Sequence, residues 1–223
     1  MFDDQKLNSH SGDWFLKKLE DRLKIYLVPK IPLWISSAFL TWLSILWSTL
    51  IILCFYLSKT EQSYLWFIPL FVVFHYLTDT LDGAVGRARN SGLNKWGFYV
   101  DHFLDFIFMT SVIIGYGIIS GFNIWLFVLY IALSGFMIHT FLILSVNNVF
   151  SISFLKIGPT EGRLMIIIFS LIVIFMGVNI INTLLPYVTA VASILLLTAF
   201  FSTERNLWKT DIANKKAREN TPQ

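Results

Sequence analysis

Six apolar runs of membrane-crossing length dominate the sequence and leave few folds open to it. A hydrocarbon core about 30 Å thick is crossed by roughly 20 apolar residues in helical conformation. Stretches of that kind fall at about 34–57, 64–86, 97–119, 122–146, 161–181 and 184–202. In lipid every backbone N–H and C=O must be satisfied inside the protein, so such runs fold as helices. The breaks between them are short: Ser120-Gly121, with Asn123 just beyond, and Asn182-Thr183, with Pro186 opening the last span. Neighbouring helices are therefore expected to run antiparallel. Charged residues make up 14% of the 223 and hydrophobic ones 56%, with a mean hydropathy of +0.66. A soluble domain carries about 25% charged residues, so a soluble globule is excluded, and a disordered chain is excluded more firmly. The expected fold is an all-α integral membrane protein with six transmembrane helices.

The basic residues orient the spans. Lys6, Lys17, Lys18, Arg22, Lys24 and Lys30 precede the first span, and Arg87, Arg89 and Lys95 lie between the second and third. Lys156 and Arg163 lie between the fourth and fifth, while Arg205, Lys209, Lys215, Lys216 and Arg218 follow the sixth. Lys59 alone falls between the first and second spans. Six spans thus put sixteen of seventeen Lys and Arg on one side, which the positive-inside rule makes cytoplasmic. Both termini are expected there, in a bacterial plasma membrane. The net charge of +3 is too small and too dispersed for a nucleic-acid partner. A single cysteine, Cys54, rules out a disulfide framework or a zinc knuckle. The first thirty residues contain no signal-peptide pattern.

Ahead of the first span, Phe15, Leu19, Leu23 and Tyr26 recur at helical spacing, joined by Leu16 and Leu27, with charged residues between them. That pattern predicts an amphipathic helix in the cytoplasmic interface, anchored by Trp14, before Pro29 and Pro32 turn the chain into the bilayer. The expected organisation is a cytoplasmic segment over 1–30, a transmembrane domain over 31–203 and a cytoplasmic polar tail over 204–223. Trp34, Tyr64, Trp66, Trp96 and Trp125, near span ends, read as interfacial anchors.

Of only fourteen carboxylates, four gather at the cytoplasmic ends of spans two and three. Asp79 and Asp82 are three apart and Asp101 and Asp105 four apart, so each pair shares a helix face. The two helices are consecutive and antiparallel, and both pairs can converge at one depth. Four carboxylates in a low dielectric need protons, basic side chains or metal. Hard divalent cations such as Mg²⁺ take carboxylate oxygens and keep positions for phosphate, and two of them can clamp a phosphoryl group. Gly83 and Gly86 would admit a bulky diphosphate close to the backbone, with Arg87 and Arg89 beside it. This favours phosphoryl chemistry over a proton relay. His75, four residues before Asp79, reads as an outer partner or a helix–helix contact; His139 reads as a contact to a neighbouring helix. Lys156 and Arg163 could hold an anionic substrate or merely mark the cytoplasmic side, Asn147 and Asn148 read as caps, and His10 is uninformative.

The stretch from Asp79 to Asp105 resembles the signature of the CDP-alcohol phosphotransferases, D-x2-D-G-x2-A-R-x8-G-x3-D-x3-D. Asp79, Asp82, Gly83, Arg87, Gly97, Asp101 and Asp105 take its positions in order. Gly86 replaces the usual Ala, and nine residues rather than eight separate Arg87 from Gly97, so Arg89 competes with Arg87 as the phosphate-binding arginine. Arg87 keeps the short spacing from Asp82 and is preferred. The resemblance implies Asp79, Asp82 and Asp101 as metal ligands and Asp105 as a further ligand or the general base. It implies Gly83, Arg87 and Gly97 as contacts to CDP, and Mg²⁺ (or Mn²⁺), two ions per site, as cofactor. It implies a CDP-linked donor, a lipid or polar alcohol acceptor, and a homodimer in the bilayer. Gly158-Pro159-Thr160-Glu161-Gly162 and the Asp101-His102 pair are similar to segments of the choline/ethanolamine phosphotransferase branch, which uses CDP-choline or CDP-ethanolamine with diacylglycerol. The short chain fits better the opposite direction, CDP-diacylglycerol with serine, glycerol phosphate or inositol. The rival classes are a UbiA-type prenyltransferase, whose Asp motifs lie far apart in sequence, and a divalent-cation transporter.

Overall fold

A computed structural model describes residues 15–147 and 158–219 of the chain; Lys6, His10, Trp14, Asn148 and Lys156, singled out above, lie outside the described residues. The described regular structure is helical: α1 (Lys17–Leu27), α2 (Ser37–Leu57), α3 (Phe67–Ala88), α4 (Asn94–Ser120), α5 (Ile124–Asn147), α6 (Pro159–Met176) and α7 (Asn179–Glu219). Short 3-10 turns at Val28–Lys30 and Gln62–Trp66 lead into α2 and α3. Six helices, α2 to α7, are long and apolar enough to cross a membrane.

Local chemistry sets the helix ends. The Ser36 side chain accepts the Phe39 N–H at 3.1 Å and so caps α2. At α6, Pro159 occupies the first turn, and the Glu161 carboxylate reaches back to the Gly158 N–H at 2.9 Å. Gly177, at φ +85°, stops α6. The break between the last two spans therefore lies at 177–178 rather than at Asn182-Thr183, and Pro186 sits inside α7 rather than opening it. Asn182 ties helix ends together instead. Its amide donates to the Ser120 carbonyl at 3.1 Å, and its Oδ1 accepts from Asn123 at 2.9 Å.

The apolar core lies towards the end of the bundle away from the carboxylates, around Phe55 of α2, Val72 of α3, Phe108 and Tyr116 of α4, Val173 of α6 and Leu185 of α7. Gly115 lies so close against the Phe55 ring that no side chain would fit there. The Tyr116 hydroxyl, polar inside this core, is 2.9 Å from Ser170 Oγ of α6. Cys54 is buried on α2, and His139 Nε2 approaches Thr203 Oγ1 of α7 at 3.4 Å, the interhelical contact expected for it. Large apolar residues such as Phe127, Ile131, Ile138, Val191 and Leu197 are exposed on the outer faces of α5 and α7, as a lipid solvent requires.

A smaller cluster of Leu40, Leu81 and Val85 packs with Leu27, Val28, Ile31 and Ile35 at the acidic end, seating α1 and the chain after it against α2 and α3. Phe15, Leu19 and Tyr26 remain 74%, 64% and 63% exposed, forming one apolar stripe on the side of α1 turned from the bundle. At 1.5 Å per residue, the 41 residues of α7 span about 60 Å, roughly twice a hydrocarbon core. The segment read as a polar tail is thus helical through Glu219, because α7 runs on through its polar end without a breaker.

Candidate active site

Three helices deliver the site. Asp79 and Asp82 stand in the last turns of α3, Asp101 and Asp105 in the first turns of α4, and Arg163 in the first turn and a half of α6. A single guanidinium nitrogen, Arg163 Nη2, lies 2.9 Å from Asp79 Oδ2 and 2.6 Å from Asp105 Oδ1. Arg163 is only 7% exposed, so its charge resides inside the cluster, where it neutralises carboxylates from both helices. Asp101 stands one turn before Asp105 on α4. Asp79 and Asp105 are thus brought together, whereas Asp82 and Asp101 do not share the guanidinium. An arginine expected at most to touch substrate is part of the cluster itself. The available signal is its place at the very start of the fifth apolar run, where a cation carried into the bundle needs an anionic partner.

Asp82 is held from another side. The Thr41 hydroxyl of α2 donates to Asp82 Oδ2 at 2.6 Å, and the Gly83 N–H donates to Asp82 Oδ1. Both side chains are buried. Thr41 was not legible in the sequence, where it is one of many hydroxyls on an apolar helix.

His75 is fully buried one turn deeper in α3, its ring stacked on Phe108 at 3.9 Å between centroids. Neither ring nitrogen has a hydrogen-bond partner among the described residues, yet a nitrogen of His75 and carboxylate oxygens of Asp79 and Asp105 all lie within 4.8 Å of one another. Unpartnered buried polar atoms beside hard oxygen donors fit a divalent cation. His102 directs Nδ1 to the Phe98 carbonyl at 2.7 Å, with Asp101 Oδ2 3.7 Å away.

The arginines divide. Arg89 donates to the carbonyls of Ile35 at 2.6 Å, Ile31 at 2.8 Å and Pro32 at 3.3 Å, bracing the chain that enters α2. Arg87 lies instead across Gly83, where an added Cβ would stand 3.2 Å from Arg87 Nη1. Space around Gly97 is open. Gly86 serves packing rather than substrate access, because a Cβ there would press on Ser37 Oγ at 3.1 Å and Ser91 Oγ at 3.3 Å.

Fold and site together define an integral membrane protein with an acid-and-arginine centre at one end of a six-helix bundle. Residues 34–203 match the CDP-alcohol phosphatidyltransferase family model, and the chain belongs to that family. No curated protein was found to match it. Membership makes the protein a transferase of phosphorus-containing groups in phospholipid synthesis, dependent on a divalent metal and acting on a CDP-linked donor and an alcohol acceptor. The prenyltransferase and transporter alternatives fall away with it.

Proposed function

We propose that the protein transfers the phospho-aminoalcohol of CDP-ethanolamine or CDP-choline to the hydroxyl of diacylglycerol, releasing CMP. The observation that carries the phosphoryl-transfer reading is the junction of Asp79, Asp105 and Arg163 from three helices. The aminoalcohol direction is supported by the Gly158–Gly162 segment, whose Glu161 and Thr160 are buried at the entrance of the helix that carries Arg163. The family's description as phosphatidyltransferases supports a second reading, transfer of a phosphatidyl group from CDP-diacylglycerol to serine, glycerol phosphate or inositol.

The residues divide the work as follows. Asp79, Asp82 and Asp101 would hold Mg²⁺ or Mn²⁺, in two ions, with Asp105 as a further ligand or the base, and the bound metal would neutralise charge on the diphosphate oxygens. Gly97, with open space around it, would let the CDP moiety approach α4, and Arg87, lying over Gly83, would supply a cation for its phosphates there. Asp105 is the general base. Its Oδ1 is anchored by Arg163, which leaves Oδ2 to take the proton of the attacking hydroxyl. The alcohol oxygen forms a bond to the phosphorus of the transferred group, the bond from that phosphorus to the bridging oxygen breaks, and CMP carries that oxygen away. Thr41 and Arg163 keep the carboxylates from swinging apart between turnovers.

Sixteen of seventeen basic residues on one side support a cytoplasmic site and cytoplasmic termini; the membrane we propose is a bacterial plasma membrane. The exposed apolar stripe of α1 supports its seat in the interface, and the family resemblance suggests a homodimer, which mass photometry in nanodiscs tests. Function is tested by incubating purified protein and Mg²⁺ with CDP-ethanolamine or CDP-choline plus diacylglycerol, and with CDP-diacylglycerol plus each polar alcohol. CMP release in the first set alone is expected. Release only in the second set reverses the direction.

A further inference from the structure

Glu161 uses its two carboxylate oxygens on two different parts of the chain. Oε2 accepts the Gly158 N–H at 2.9 Å, which is all that capping the first turn of α6 requires. Oε1 accepts the Leu16 N–H, also at 2.9 Å, from a residue 145 positions away at the start of α1. Beside this contact the Thr160 hydroxyl donates to Glu20 Oε2 at 2.5 Å, and Lys24 Nζ closes on Glu20 Oε1 at 2.6 Å. Glu20 and Glu161 are each 8% exposed. Two acidic side chains buried at the junction of a peripheral helix and a membrane span are costly unless their partners are held in place. Here each has one donor on the opposite element, the Leu16 N–H for Glu161 and the Thr160 hydroxyl for Glu20, so α1 and the start of α6 fix each other. Arg163, two residues after Glu161, is the cation that joins Asp79 to Asp105.

We infer that Glu161 is a positioning residue. By catching the Leu16 N–H it docks α1 on α6 and sets the depth and rotation at which α6 presents Arg163 to the carboxylates. This rests on the phosphoryl-transfer reading of the site. The role is specific to the second oxygen: a capping carboxylate needs one acceptor, and only docking uses the other. It also gives α1 a purpose beyond covering apolar surface, because the helix whose outer stripe meets lipid is wired to the reacting end of the bundle.

Two pairs of variants test it. Leu16→Pro deletes the N–H that Glu161 accepts, at the N-cap of α1, where no intrahelical bond uses that N–H, while Leu16→Ala loses the side chain and keeps the N–H. Glu161→Gln leaves one acceptor oxygen for two donors. The expected loss of kcat/KM is about tenfold for Glu161→Gln and Leu16→Pro and under about twofold for Leu16→Ala. In an Arg163→Lys background, Glu161→Gln should cost under about twofold more, since residues acting through one another are not additive. A full tenfold loss in both backgrounds, or equal losses for Leu16→Pro and Leu16→Ala, overturns the inference. Docking is read without turnover from the electron–electron distance between spin labels at Leu19→Cys and Met165→Cys in a Cys54→Ser background. The distribution should be narrow in the parent and should broaden in Glu161→Gln; a distribution that stays narrow overturns it. If the parent protein releases no CMP with any donor, the phosphoryl-transfer reading fails, and the distance measurement alone decides the role of Glu161.

Discussion

Replacing Thr41 by Val removes one hydroxyl from the acidic end of the bundle and keeps the branched shape of the side chain. That hydroxyl donates to Asp82 Oδ2 at 2.6 Å, and the two residues are 2% and 5% exposed, so water is poorly placed to substitute. A hydrogen bond to a charged acceptor contributes about 1.5–3 kcal/mol. The Gly83 N–H still holds Asp82 Oδ1, so the carboxylate keeps one of its two orienting contacts, and about 2 kcal/mol is the appropriate figure. At 1.36 kcal/mol per decade this is a factor of about 30, inside the 10–100-fold range typical for outer partners of metal ligands. The loss should appear in metal activation. In a titration of CMP release against free Mg²⁺, the half-activating concentration should rise about 30-fold, with kcat at saturating metal within about threefold of the parent. Thr41→Ser, which restores the donor, should recover most of it. An unchanged Mg²⁺ curve for Thr41→Val, or a Thr41→Ser variant as impaired as Val, refutes the role assigned to this contact.

Arg163→Gln leaves the Asp79 and Asp105 carboxylates without their shared cation. Breaking a buried pair costs about 3–5 kcal/mol, and the 29% exposure of the Asp105 side chain places this one near about 3 kcal/mol, or roughly 150-fold in kcat/KM; kinetics at the parental level would refute it. Arg87→Met should raise KM for the CDP donor by about 10–100-fold with little change in Tm, through loss of a charge-assisted phosphate contact. Arg89→Met should do the reverse, lowering Tm by several degrees with KM near the parental value, since its guanidinium braces three backbone carbonyls. Equal KM effects of the two substitutions would contradict the division of roles. Gly115→Ala should destabilise the bundle by about 1–3 kcal/mol through overpacking on Phe55, measured as a lowered thermal-aggregation midpoint in detergent.

Much of the fold is legible in the sequence because lipid permits few solutions. Six apolar runs become six long helices, and carboxylates scarce elsewhere gather at the ends of α3 and α4. What escapes is whatever depends on helix rotation and on contacts between distant segments. Arg163 reaches Asp105 across 58 residues, Thr41 reaches Asp82 across 41, and no periodicity encodes either meeting. Arg87 and Arg89 are nearly indistinguishable by spacing, yet one lies over Gly83 and the other turns to the chain before α2. The break before α7 lies ahead of Asn182-Thr183, although Asn-Thr followed by Pro is the stronger turn signal in composition. Gly177 had already ended α6 with a positive φ that only the backbone reveals.

The proposed reaction is phosphoryl transfer from a CDP-linked donor at the carboxylates of α3 and α4, with Asp105 taking the proton of the acceptor. Its most direct test is CMP release by purified protein and by Asp105→Asn, with Mg²⁺, a CDP-linked donor and an alcohol acceptor, alongside equilibrium binding of the donor. The parent should release CMP, Asp105→Asn none above background, and the donor Kd should agree within about threefold between the two. Undiminished release by Asp105→Asn would contradict the assignment of the base, and no release by the parent with any donor and acceptor would contradict the claim itself.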